Sequence, residues 1–139
     1  MRRLAKIAFA VATLFIAFAH ASAEAKTTYQ NLQKTTTKGK AINASETWDL
    51  NQDCSVRAYP AVKVISAPTN GTTKVGRATF KIERKFSKDP YYKCKSFTVK
   101  GTAVRYTPKP GFSGKDKLKL RAHFSTGDVY EIEVVITVR

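Results

Sequence analysis

Between Lys117 and Val138 apolar and polar residues alternate almost without a break. Leu118, Leu120, Ala122 and Phe124 interleave with Lys117, Lys119, Arg121 and His123. Past Ser125–Asp128, Tyr130, Ile132, Val134, Ile136 and Val138 take one parity, while Glu131, Glu133, Val135 and Thr137 take the other. A period of two is the spacing of a half-buried β-strand, so this pattern predicts two strands with an apolar inner side. Gly127 supplies the turn between them. Two registers are open. A three-residue loop opposes Arg121 to Glu131 and Lys119 to Glu133; a five-residue loop opposes His123 to Glu131 and Arg121 to Glu133. Both set opposite charges across the pair, which stabilises a hairpin.

Upstream, short β-like runs recur between turn signals. Val62–Ser66 precedes Ala67-Pro68-Thr69-Asn70-Gly71; Thr72–Val75 and Arg77–Lys85 follow, the latter with Ala78, Phe80 and Ile82 alternating. Ser96–Gly101 and Thr102–Thr107 read as two further strands hinged at Gly101. No segment after Lys40 carries a helical period. The expected fold is all-β: an Ig-like two-sheet sandwich of about seven antiparallel strands. A small closed barrel of the OB type is the alternative.

The first 23 residues stand apart from this pattern. Arg2, Arg3 and Lys6 precede an apolar run from Ile7 to Ala19, with Ala21 and Ala23 forming a small-residue cleavage site. That is the layout of a secretory signal peptide cleaved after Ala23. The run is short for a membrane span of about 20 residues, so no integral span is expected in the mature chain. Residues 24–40 read as a flexible polar lead-in with an edge strand around Tyr29–Thr37, and residues 41–139 as the sandwich domain. The expected location is periplasmic or secreted, from a bacterium. Cys54 and Cys94 are the two cysteines of the chain, and an even count in an exported protein predicts one disulfide. Asn43 and Asn70 match glycosylation sequons, but turn chemistry is the better reading in a bacterial chain.

Charge narrows the partners. Removing Arg2, Arg3 and Lys6 from the 25 basic residues leaves 22 against 10 acidic ones, about +12 for the mature chain. Such an excess draws anionic partners: an acidic polysaccharide, lipopolysaccharide, an acidic protein surface, or nucleic acid. The stretch Lys81–Lys95 concentrates it, with Lys81, Arg84, Lys85, Lys88, Lys93 and Lys95 interleaved with Phe86, Tyr91 and Tyr92. Cations attract the polymer and rings stack on it. Lys81, Arg84, Lys85, Lys88, Tyr91, Tyr92, Lys93 and Lys95 are therefore the candidate ligand-binding residues. Catalytic material is thin. His123 is the one imidazole past the signal, and the carboxylate pairs Asp49/Asp53 and Glu131/Glu133 have turn and cross-strand explanations. No enzyme activity, metal or cofactor is expected.

The segment Tyr106–Leu120 remains. Pro108 and Pro110 fix φ and remove donors, so the chain leaves the sheet there. Gly111 and Gly114 permit sharp turns. Phe112 is an apolar plug and Asp116 an acceptor for loop N–H groups. A phosphate cradle would need a helix after the loop, and here a Lys/Leu strand follows. With Pro68, Gly71 and Thr72 before it, the set Tyr106, Pro108, Gly111, Phe112, Gly114 and Asp116 resembles bacterial Ig-like and cadherin-like modules of surface proteins. The likeness spans roughly Val62–Arg139. It implies a sandwich with a strand–corner–strand signature at these six positions. The modules it resembles usually occur as tandem repeats in large acidic, often calcium-binding, proteins, whereas this chain is a single basic unit with one acid in the loop; calcium is not carried over. The function expected is an exported, non-enzymatic binding module for an anionic partner. The alternative is an assembly subunit that pairs through an edge strand.

Overall fold

The computed structural model describes residues 26–82 and 92–139. Residues 1–25 and 83–91 lie outside them. Among the described residues nine strands run in chain order: β1 (Thr27–Thr36), β2 (Ile42–Thr47), β3 (Asp49–Leu50), β4 (Val56–Ala58), β5 (Ala61–Ser66), β6 (Gly71–Lys81), β7 (Thr98–Pro108), β8 (Gly114–His123) and β9 (Val129–Val138). One sheet has the order β1-β9-β8-β5, the facing sheet β2-β7-β6, and β3 and β4 form a small separate ladder. The molecule is an all-β two-sheet sandwich rather than a closed barrel. No helix of the described residues is long and apolar enough to cross a membrane.

The period-two segments form the strands expected of them. Leu118, Leu120 and Ala122 from β8 and Ile132, Val134, Ile136 and Val138 from β9 enter the main core with Ala44, Val104 and Tyr106. The three-residue register is the one adopted, with Arg121 opposite Glu131 and Lys119 opposite Glu133. Gly127 takes the positive φ of 88° that this tight turn demands. Arg121 reaches Glu131 at 2.5 Å and Lys119 reaches Glu133 at 3.5 Å. These exposed pairs contribute little each, on the order of 0.2–1 kcal/mol.

Strand count and continuity differ from the sequence reading. Gly76 and Gly101 do not break the chain, so β6 and β7 are single strands of 11 residues each, paired without a bulge from Gly71–Pro108 to Lys81–Thr98. Gly101 is a crossing point, not a hinge: a Cβ there would collide with the Thr47 carbonyl and with Phe80 Cζ at 2.8 Å. The short strands β2, β3 and β4 lie in a stretch without clean alternation. The polar stretch supplies β1, which runs parallel to β9, from Thr27 opposite Val129 to Thr36 opposite Val138.

The β6–β7 ribbon changes its buried face along its length. Near the sandwich, Val104 and Tyr106 point into the main core. Toward the other end, Val99 and Phe80 on the opposite face join a second cluster with Leu50, Ile82 and Cys94, flanked by Trp48, Cys54, Val56 and Ala78. Residues 101–104 are buried consecutively because both faces are covered there.

One carboxylate ties the corner together. Asp116 is 4 % exposed and accepts from Thr69 N at 3.0 Å, Asn70 N at 2.9 Å, Lys117 N at 2.9 Å and the Tyr106 hydroxyl at 3.0 Å. Gly71 leaves room for the Tyr106 ring, which a Cβ would strike. Phe112 packs half-buried on the main core. Burial, reinforced by the bond to Asp116, raises the Tyr106 hydroxyl pKa well above its ordinary value of 10.0.

Two outcomes are expected. Asp116→Ala strands buried donors on three segments and lowers unfolding free energy by roughly 3 kcal/mol in urea titrations. The folded chain also keeps a Tyr106 proton that the unfolded chain releases. That stabilisation is fully present below pH 10 and fades as pH rises above it, toward the raised folded-state value. Urea midpoints measured from pH 7 to pH 11 should therefore fall less steeply above pH 10 in Tyr106→Phe than in the parent.

Candidate functional site

The sequence-predicted site divides at residue 83. Arg84, Lys85, Lys88 and Tyr91 lie outside the described residues, and the Tyr92 side chain does too. Lys93 and Lys95 are exposed on a 3-10 turn, Tyr92–Ser96, on either side of the buried Cys94. Cys94 is bonded to Cys54 across a separation of 40 residues, which anchors the turn to the β3–β4 ladder. Asp53, next to Cys54, accepts from the Ser55 hydroxyl at 2.6 Å and the Ser55 N–H at 3.0 Å. These bonds, with a smaller contribution from Lys93, hold its pKa below the ordinary carboxylate value.

Lys81 sits at the end of β6, opposite Thr98. Strict alternation along the ribbon places Arg77, Thr79 and Lys81 on one face with Thr98, Lys100 and Thr102. Arg77, Lys81 and Lys100 are exposed, and none has an acidic partner among the described residues. The Arg77 guanidinium lies 4.2 Å from the centroid of the Tyr59 ring, a cation–π contact. Sequence reasoning included Lys81 but missed Arg77, Tyr59 and Lys100. Their common face follows from the unbroken β6–β7 register, which Gly76 and Gly101 concealed. A second exposed pair, Lys74 and Arg105, stands directly opposed on the outer side of the same sheet. Like charges facing across strands cost stability unless an anion intervenes.

The described acids offer no such surplus. Glu131 and Glu133 are taken by Arg121 and Lys119. Asp116 is spent on the corner, Asp53 on Ser55, and Glu46 accepts from Asn43 Nδ2 at 2.8 Å. Asp128 accepts from the Thr126 hydroxyl at 2.7 Å. Asp49, 5 % exposed, accepts from the Ser125 N–H at 3.0 Å and hydroxyl at 2.5 Å, with Arg57 at 3.5 Å. The carboxylate pairs noted in the sequence are thus each engaged with neighbours. His123 is exposed at the end of β8, opposite Val129 and Ala61. Among the described residues no cluster of three or more His, Cys, Asp or Glu could hold a metal ion.

A cleft that the sequence did not suggest opens between the sheets where β9 begins. Its volume is about 380 Å³, and Gln30, Tyr130 and Ile132 line one side while Trp48, Asp49 and Leu50 line the other. It is a feature of tertiary packing, since those residues come from strands far apart in sequence.

No protein-family model matches this chain, and no curated protein is significantly similar to it. What stands is the class: an all-β sandwich with one disulfide bracing a basic ribbon.

Removing the disulfide should loosen that ribbon selectively. The Cys54→Ser/Cys94→Ser double variant is expected to lose about 3–4 kcal/mol, the chain-entropy value for a loop of this size. Amide exchange should accelerate first at Phe80 and Val99, with Leu118 and Val134 protected longer.

Proposed function

We propose that this protein is an exported, non-enzymatic binding module that recognises an anionic polymer or acidic surface in the envelope or outside the cell. The observation carrying this reading is the ribbon face with Arg77, Lys81 and Lys100, unpaired with any described acid and backed by Tyr59. A rigid ladder spaces these cations, so binding pays little ordering entropy. Each described carboxylate makes at least one internal hydrogen bond or ion pair, and the excess of basic residues leaves the net field of the surface positive. Lys93 and Lys95 extend the basic character of this end, and Arg84, Lys85, Lys88, Tyr91 and Tyr92 are the further candidates from the intervening sequence.

The compartment in this proposal rests on the N-terminal signal pattern and agrees with the disulfide. Its structural kinship would be with the bacterial Ig-like and cadherin-like modules. Support comes from the corner, where Asp116 bonds the Thr69 and Asn70 N–H groups. The two motifs behind the resemblance, Pro68–Thr72 and Tyr106–Asp116, are thereby stitched to each other.

The second reading, assembly through an edge strand, has β6 as its best edge, since β7 is its one neighbour among the described residues. Val75, 40 % exposed, lies in this strand. Lys74, Arg77 and Lys81 are the charges with which natural edges discourage strand addition. They favour the polymer reading.

Heparin binding at low salt tests it. Lys81→Glu/Lys100→Glu should weaken affinity about tenfold and flatten the dependence of log K on log salt. The control Lys115→Glu/Lys117→Glu, on the other sheet, should do much less. Equal losses from both pairs would reduce the effect to bulk charge, and absence of binding by the parent at low ionic strength would end the proposal.

A further inference from the structure

The inter-sheet cleft has a chemistry opposite to that of the ribbon. Its wall carries three aromatic side chains, Trp48, Phe124 and Tyr130, all half-buried. Phe124 and Tyr130 pack with ring centroids 5.0 Å apart and planes tilted by 59°. Trp48 is held from behind by Phe80, at 5.7 Å between centroids. Around these rings stand Gln30, Glu46, Arg57, Thr126 and Asp128. Bonds within the lining tie three separate segments together. Buried Asp49 of β3 receives Ser125 from the β8–β9 turn and Arg57 from β4. Arg57 also donates to the Leu50 carbonyl at 2.9 Å. A lining that combines aromatic rings with polar groups locked by their own bonds is pre-organised for a small ligand.

The lining determines which ligand. Flat apolar rings suit a molecule with C–H faces, and the side-chain oxygens of Gln30, Glu46, Thr126 and Asp128 suit one rich in hydroxyl donors. A pyranose has both. The cleft volume of about 380 Å³ falls in the usual range for small-molecule sites, roughly 300–1,000 Å³. Glu46, Asp49 and Asp128 outnumber Arg57, so carboxylated or sulfated sugars are disfavoured here although the rest of the surface attracts them.

We propose that this cleft is a second, independent binding site, for a short non-anionic saccharide. The module then carries two recognition surfaces: a cationic ribbon that responds to salt and an aromatic cleft that does not. Trp48 sits where the cleft meets the disulfide-braced cluster, so a ring bound in the cleft leans on the same scaffold that supports the ribbon.

Trp48 is the single tryptophan of the chain, which makes its fluorescence a direct reporter of the cleft. The full-length mature protein would be titrated with tetrasaccharides of glucose, N-acetylglucosamine and glucosamine, with oligogalacturonate as the anionic control. The proposal expects a saturable Trp48 change with at least one of the first three, unaltered in 0.5 M salt (about the ionic strength at which surface charge effects are screened). Tyr130→Ala and Asp128→Ala should each weaken that binding at least tenfold. Gln30→Ala, on a strand edge, provides a milder variant should either of those unfold. Lys81→Glu/Lys100→Glu should leave it unchanged, which separates this site from the ribbon. No saturable change with any of the three, equal binding of oligogalacturonate, or indifference to all the cleft variants would overturn it.

Discussion

The Asp116 carboxylate is the constraint on which the rest of this sandwich hangs. It begins β8 yet bonds the turn before β6 and the tyrosine near the end of β7, so a single side chain sets how the two sheets meet at this corner. A buried carboxylate is costly unless its lone pairs are filled, and four donors fill them here. Gly71 is required beside it because the Tyr106 ring occupies the space of a side chain. The prolines and glycines of the corner shape the chain around this bond. They have no chemistry of their own.

From that corner the β6–β7 ribbon leaves the sandwich and buries its other face under the disulfide cluster. This reversal explains why β7 reads as two strands in sequence. Its alternation shifts phase where Ala103 and Val104 are covered on both sides, and a glycine sits beside the shift. It also creates the basic face. Beyond the sandwich the side that would have been core carries Arg77, Lys81 and Lys100, with Tyr59 stacked on Arg77 and the Pro60 carbonyl accepting from Thr102.

Electrostatics in the molecule is sorted by location. Among the described residues, acids are engaged in structure, in the corner, in turns and across the β8–β9 hairpin, while most lysines and arginines point outward. The hairpin stripe Lys119–Arg121 illustrates the point. It looks like a binding surface by composition, yet Glu133 and Glu131 answer it. The inter-sheet cleft is the exception to the basic exterior. Its three acids converge there from the separate segments β2, β3 and the β8–β9 turn.

The chain's period-two pattern by itself determined that the fold is all-β, and the pattern and charges of its last strands determined the hairpin and its opposed pairs. These are local properties: alternation and turn chemistry act between neighbours in sequence. The cysteine count likewise sufficed for the disulfide. Tertiary structure alone decided the parallel seat of β1, the continuity of β6 and β7, and the grouping of Arg77 with Lys100. It alone brought Trp48, Asp49, Phe124 and Tyr130 around one cleft. Each of these depends on which distant segments cover a given face, and burial by a remote partner leaves no period in the sequence.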